Sequence, residues 1–503
     1  MSDADLAADL ATDPAKSRAL ASALSAAPDP AAARLPVKVP LVTQPMGILQ
    51  TVNAARKNIL LIIPEIATTQ PMVSGKMGRR WHMVMDPAAL RHVLVAEAPA
   101  YPKSDVTKNL LRPAIGESLF VAEGAHWRWQ RRAAAPAFSH RNIHALAPVM
   151  SAVADATSAR IRQQSNQGKR AVDMAQEMAR ATFDVISDVT FSGGEGFSRD
   201  EINRAINNYI DEAARVSFLD VIGVPTWVPR PARLMSRKIL RKTQSMADAA
   251  IRERRARGAS AIPDLLDLLL AGSDPDTGRA MNDAELRDNL LTFIVAGHET
   301  TALTLAWALY LMAFDPARQA KARAEAAAVL GSGSRARAAC ADDLARLPYI
   351  RQIIDETLRL YPPAALLART AQKRDTLCER AIHAGDTITI PVYALHRNRL
   401  LWEAPDAFIP ERFEGGSPAP RFAYLPFGDG PRICIGASFA LQEAVIILAT
   451  QLARFEFAAV AGKTPDPVMI LTLRPEGGVW LTATPLPDAD PAPAPDPAPA
   501  ATR

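Results

Sequence analysis

Phe427-Gly428-Asp429-Gly430-Pro431-Arg432-Ile433-Cys434-Ile435-Gly436 packs glycines, a proline, an arginine and a lone cysteine into ten residues. An apolar helical run, Ala437 to Phe455, follows directly. Glycines at 428 and 430 permit backbone conformations and close approaches that a Cβ forbids. Gly436 leaves room for a flat ligand against the start of the helix. Cys434 then stands at a predicted helix N-terminus, where the positive dipole end and free N–H groups favour a thiolate over a thiol. A thiolate held so is ready to ligate a metal. Taken alone, a cysteine in a glycine-rich turn is more often a small buried apolar residue.

Working outward, Asn282 to Phe314 is the second decisive element. Asn282 with Glu285 three later reads as an N-cap and capping box, and Asp315-Pro316 stops the helix. The result is far longer than an average helix of ~11–12 residues. Its flanks are apolar enough for a membrane span to be weighed. Against that, Ala296-Gly297-His298-Glu299-Thr300-Thr301 would set an ionisable pair at bilayer depth. A buried central helix with a functional notch fits better. Gly297 removes a side chain where something bulky or reactive must approach, and Glu299 and Thr300 supply an acid and a hydroxyl beside the gap. His298 reads as a packing or hydrogen-bonding residue.

Two weaker signals accompany these. Trp127 and Arg131 lie four apart on one helix face, and an indole N–H with a guanidinium suits a carboxylate. Glu356-Thr357-Leu358-Arg359 places an acid and a base one turn apart, which alone means little, since such pairs are ordinary on surfaces. It precedes Leu360-Tyr361-Pro362-Pro363 and, further on, Pro410-Glu411-Arg412-Phe413.

Together these stretches resemble the signatures of the cytochromes P450. The first matches F-x-x-G-x-R-x-C-x-G, the haem-binding loop, and the second matches [A/G]-G-x-[D/E]-T, the oxygen-binding helix. The W-x-x-x-R and E-x-x-R motifs stand in family order, and the likeness runs from about Pro40 to Pro485. The resemblance implies a mainly α fold with smaller β-sheets, one large domain holding haem b between the long central helix and the cysteine loop. It implies Cys434 as the iron's thiolate ligand. Arg432, Phe427, Trp127, Arg131 and Arg369 become cofactor-binding residues, the cations and the indole at the propionates. Glu299 and Thr300 become the catalytic pair that organises water and delivers protons. Glu356, Arg359 and Arg412 become a buried structural triad.

The activity implied is that of a haem-thiolate monooxygenase, inserting one atom of O2 into an apolar substrate by hydroxylation or epoxidation. Electrons would come from NAD(P)H through an external reductase and a ferredoxin- or flavodoxin-type donor. The alternatives are a peroxygenase using H2O2 and a non-catalytic haem-binding sensor. Leu366, Leu367, Met469 and Ile470 are candidate pocket residues.

Composition agrees with a large globular protein: 503 residues, 49% hydrophobic and 22% charged. A net charge of +5 is too diffuse to argue for nucleic acid and suits an acidic protein partner. Cys340, Cys378 and Cys434 make no disulfide framework, in keeping with a reducing, cytoplasmic setting. No signal peptide or membrane anchor is evident, as in the soluble bacterial-type family members, and a monomer is expected. The expected layout is an N-terminal extension at 1–39, the P450 domain at 40–484 and a disordered Pro/Ala-rich tail at 485–503.

Within the domain, Pro71 to Asp86 reads as a hairpin turning near Gly75–Gly78, then a helix from Pro87 to Glu97. Ser104 to Gly124 reads as loop-rich, and Arg233 to Arg257 as a solvated basic helix face. Phe218 to Pro231 reads as a mobile cover over the substrate entrance, and Val468–Leu473 with Gly478–Thr482 as a late hairpin.

Overall fold

The computed structural model describes residues 35–190, 231–260 and 263–489. The described residues from Val37 onward belong to one compact unit, which carries all that follows.

Seven helices position the site: α1 (Gly124–Ala134), α2 (Ala147–Ser165), α3 (Met174–Thr190), α4 (Asp283–Phe314), α5 (Pro316–Leu330), α6 (Pro348–Leu360) and α7 (Ala437–Arg454). The centre belongs to α4, which packs against α3, α5, α6 and α7. Most of its length is buried, as a mainly apolar helix requires. Its start is the expected capping box: Asn282 Oδ1 accepts from the Glu285 N–H at 2.9 Å, and Glu285 Oε2 accepts from the Asn282 N–H at 3.1 Å. Asp315 ends α4 and starts α5, its carboxylate accepting from the Arg318 N–H at 3.0 Å with Pro316 at the first helical position. Further along α4, Trp307 is wholly buried and stacks on Tyr361 with ring centres 4.0 Å apart.

Strands β1 (Met72–Met77) and β2 (Arg79–Val84) form the expected hairpin, turning at Gly78 with φ of 71°. The others are β3 (Ala171–Asp173), β4 (Leu367–Thr370), β5 (Asp375–Leu377), β6 (Arg380–Ile382) and β7 (Thr387–Ile390). After them come β8 (Phe455–Ala459), β9 (Asp466–Met469), β10 (Leu473–Glu476) and β11 (Trp480–Pro485). The largest sheet has the order β1-β2-β7-β4, with β2 and β7 parallel. Strands β3, β11 and β8 form a second sheet, while β5–β6 and β9–β10 stand as pairs. The mainly helical architecture with small sheets is the one expected.

Several expectations need correction. The late hairpin is β9 with β10, whereas Gly478–Thr482 feeds β11, which pairs with β3 and β8 instead. The Pro475-Glu476-Gly477-Gly478 stretch ends β10, and Gly477 and Gly478, both at positive φ, turn the chain into another sheet. Ser104–Gly124 is only partly loop: Asp105–Ile115 is helical, capped by the Ser104 hydroxyl on the Thr107 N–H, with Pro113 tolerated inside it, and 116–123 is turn and coil. The basic run is not wholly solvated, because Arg254 is buried in an ion pair with Asp264 and Asp267, each at 2.7 Å.

Described residues on either side of 40–484 are anchored to it. Val37 and Val39 are tied in through Tyr310, Tyr361 and Tyr393 hydroxyls. At the other end Pro487, Asp488 and Ala489 hydrogen-bond to Ser332 and Ser334, so order extends past 485. The cover assigned to Phe218–Pro231 lies outside the described residues up to 230.

Candidate haem site

The cysteine loop is built by its glycines. Gly430 has φ of 73°, and a Cβ there would run into the backbone oxygen of Leu94. The loop closes on itself where the Cys434 N–H donates to Phe427 O at 3.0 Å, with Phe427 half-buried against the core. Gly436 differs from Gly430. Its φ of −91° suits any residue, and a Cβ there would meet no protein atom within 4 Å. Neither backbone strain nor protein packing demands a glycine at 436, so the open space it borders is what the residue preserves.

Cys434 is exposed to that space, and Ile433 beside it is 40% exposed. The surroundings are nonetheless poorly hydrated, and this burial pushes the Cys434 thiol up. The Gly436 N–H and the charges of Arg131 and Lys103 pull the other way without prevailing. The helix terminus alone, then, does not make the expected thiolate. A metal cation at the sulfur would, because coordination deprotonates a thiol outright.

Around the cysteine gather buried and half-buried cations in excess of the carboxylates beside them among the described residues. Arg432 donates to Ala122 O at 2.8 Å, pairs with Glu123 and lies 4.1 Å over the Trp127 ring. Trp127 and Arg131 both come from α1, as their spacing predicts. Arg369, on β4, is 8% exposed, and its hydrogen bond goes to the neighbouring Ala368 O. Burial, then the charge of Arg432, draws Arg369 down to about 10. Arg131 and Arg432 are lowered mainly by burial as well.

Two members escaped sequence reasoning. Lys103 is pushed well below its usual range, first by burial and then by Arg369 and Arg432, while its Nζ donates to Phe120 O at 2.8 Å. Glu123 accepts from the Lys103 N–H at 3.0 Å and pairs with Arg432. Neither lies in a motif; an isolated bridge sets Lys103 beside Arg369, and Glu123 joins through its bonds to Lys103 and Arg432. Among the described residues, Glu123 is the one carboxylate set against this group of Lys103, Arg131, Arg369 and Arg432. Buried cations in excess call for anionic partners. The two propionates of haem supply such partners, and the open face at Gly436 and Cys434 suits its flat ring. The residues present fit the group.

On α4, Ala296 is exposed and Thr300, one turn on, is half-buried, although the helix around them is buried. Here is the predicted notch, with one difference. Gly297 serves close packing: a Cβ there would sit 3.2 Å from Ile186 Cδ1 of α3. The predicted pair also divides. Thr300 Oγ1 donates to Ala296 O at 2.9 Å, whereas Glu299 is turned to β10 and the residue before it, bonded to Thr472 and Arg474. His298 is buried edge-on to Phe183, ring centres 5.6 Å apart, as a packing residue.

The structural triad forms as expected. Arg359 donates to both Glu356 oxygens, Arg412 Nε donates to Glu356 Oε1 at 3.2 Å, and the Ile409 N–H does so at 2.8 Å. His396 joins it to the haem loop, with Nδ1 bonded to Arg359 O at 3.2 Å and Nε2 accepting from the Leu425 N–H at 2.8 Å.

A family model described as cytochrome P450 matches residues 40–482. A cytokinin hydroxylase of Arabidopsis thaliana is 35% identical over 76% of this chain and 74% of its own length. Cytochrome P450 4F3 of Rattus norvegicus is 32% identical over 88% of this chain and 87% of its own. A bifunctional cytochrome P450/NADPH–P450 reductase of Bacillus subtilis is 34% identical over 76% of this chain, which covers 37% of that protein. Family-wide coverage of this extent, set on a cysteine loop and cation cluster that fit haem b, leads to one conclusion: the chain belongs to the cytochrome P450 family and is a monooxygenase of it.

Proposed function

We propose that this P450 hydroxylates or epoxidises a small apolar molecule with electrons from a separate donor, as a cytoplasmic monomer. The observation that carries the reading is the cation cluster of Lys103, Arg131, Arg369 and Arg432 beside the Cys434 opening, with Glu123 as its one carboxylate. These residues would hold the propionates, and Cys434 would ligate the iron. When bound, haem with a thiolate ligand supplies O–O cleavage and the oxidising power for an unactivated C–H or C=C bond.

The chain's own work is position, water and protons. With its proton committed to Ala296 O, the Thr300 hydroxyl offers lone pairs and accepts a hydrogen bond from a water in the notch. Thr300 therefore steadies a proton donor and is not the donor itself. Half-buried Leu366, Leu367 and Ile470 and buried Met469 favour an apolar substrate. Electrons from NAD(P)H through a reductase and a ferredoxin- or flavodoxin-type carrier are in keeping with the mild basic excess of the chain.

The test is turnover of purified, haem-loaded protein on apolar substrates chosen by a spectral binding screen. One arm uses NADPH with a surrogate ferredoxin and its reductase, the other H2O2 alone. Product gaining one oxygen atom only in the first arm supports the reading. Product with peroxide alone, at equal or greater rate, makes the protein a peroxygenase, and turnover in neither arm leaves it a haem-binding sensor.

A further inference from the structure

The acid of the notch does not stand free. Glu299 Oε1 accepts from the Thr472 hydroxyl at 2.7 Å, from Arg474 Nε at 2.8 Å and from Arg474 Nη2 at 2.5 Å. Glu299 itself is 8% exposed, so these bonds are partly shielded from water. The strand that carries the donors is clipped to α4. Between Thr472 and Arg474, the Leu473 N–H donates to Pro363 O at 3.0 Å, and Leu473 O accepts from the Trp307 indole at 3.1 Å. Leu473 is wholly buried, and Trp307 sits on α4, the same helix as Glu299.

We propose that Arg474 and Thr472 are positioning residues that fix the Glu299 carboxylate for proton delivery; the proposal rests on the monooxygenase reading above. The chemistry follows from the donor count. All three donors converge on Oε1, which saturates that oxygen, so a proton taken from solvent and passed on is carried at Oε2. Holding Oε1 still fixes where Oε2 points. Charge-assisted, partly buried bonds of this length hold a side chain far more firmly than a surface pair. A carboxylate set loose would deliver its proton late. Dioxygen that has taken up two electrons and two protons would then depart as H2O2, where it should be split into one product oxygen and water.

An ion pair serving only to pin the β9–β10 hairpin to α4 would leave that partition alone, and the experiment separates the two. Wild type, Arg474→Gln, Arg474→Lys and Thr472→Val are compared as haem-loaded proteins with a surrogate redox chain. Product, H2O2 and NADPH are measured together, in H2O and in D2O. For Arg474→Gln we expect product per NADPH to fall roughly three- to tenfold, below the ~100-fold or more that a general acid supplies outright. The solvent isotope effect on product formation rises with it. Arg474→Lys keeps the charge and restores most of the coupling, and Thr472→Val gives a smaller loss in the same direction.

Wild-type coupling and isotope effect in Arg474→Gln overturn the proposal, even where its melting temperature falls. Should Arg474→Gln fail to bind haem, Thr472→Val decides, and wild-type values there overturn the proposal equally. A wild type that lacks thiolate-ligated haem or shows no reductant-driven product would instead sink the monooxygenase reading itself.

Discussion

Glu356 and Arg359 hold each other through two hydrogen bonds of 2.6 and 2.7 Å, with no exposed surface on either side chain. The remaining Arg359 donors go to the carbonyls of His396, Pro405 and Ala407, so the guanidinium stitches α6 to the chain before the haem loop. Removing the acid alone leaves a buried cation without a counter-charge, which costs about 3–5 kcal/mol. Total stability is only ~5–15 kcal/mol. Glu356→Ala is therefore expected to yield little soluble, haem-containing protein, and haem absorbance against total protein measures it. Normal haem content would show that water compensates Arg359.

Cys434 is the one cysteine that opens beside the cation cluster. The reduced, CO-bound protein should show the red-shifted Soret band of thiolate ligation. Cys434→His should retain haem held by the cations and lose that band. A band that survives the substitution assigns the ligand elsewhere, with Cys340 and Cys378 then the residues to replace.

In the proposed role Thr300 would act by accepting, since its proton goes to Ala296 O. Thr300→Ala should keep haem and substrate binding while more reductant ends as peroxide. Substitute waters recover part of the ~100- to 10,000-fold that a general acid contributes, so the expected loss of product per reductant is several-fold. Thr300→Ser restores the acceptor and should restore coupling. If alanine at 300 leaves coupling unchanged, the hydroxyl serves only the helix backbone.

Burial, then the charge of Arg359, holds the His396 imidazole down at about 3. Its ordinary value is near 6.5. Between those limits the unfolded chain carries a proton that the folded chain refuses, so acid favours unfolding. The contribution is intact above pH ~6.5 and shrinks by about 1.4 kcal/mol for each unit below it. Protonation would fall on Nε2, which already accepts from the Leu425 N–H, and so would detach the start of the haem loop. Urea unfolding at pH 7 and pH 5 should differ by about 2 kcal/mol from this group, and His396→Asn should flatten that difference. An equal slope in the variant would place the acid sensitivity elsewhere.

Much of this site was legible because its chemistry sits in local spacing. Trp127 and Arg131, Glu356 and Arg359, and the loop from Phe427 to Gly436 each bring their partners within one turn or one short loop. Lys103 and Glu123 were not legible, since what makes them site residues is Arg432, some three hundred positions away in the chain. Gly297 misled for the same reason: the side chain it accommodates is Ile186 on another helix. The orientation of Glu299 depends on Thr472 and Arg474, which belong to no motif, and the late hairpin was misplaced because Gly477-Gly478 sends the chain to a different sheet.

The cysteine loop is held by residues from distant parts of the chain. Arg432 reaches Ala122 across 310 positions and Leu425 reaches His396 across 29, while Gly430 nests on Leu94. Contacts so remote in sequence close late, after the intervening chain has collapsed. If Cys434 ligates the iron as proposed, a nascent chain would lack that ligand until residue 434 has emerged, and the cations that would meet the propionates come from segments near 103, 131, 369 and 432. Cofactor capture would then require that distant parts of the polypeptide have met, and a half-finished or misassembled chain would be left colourless.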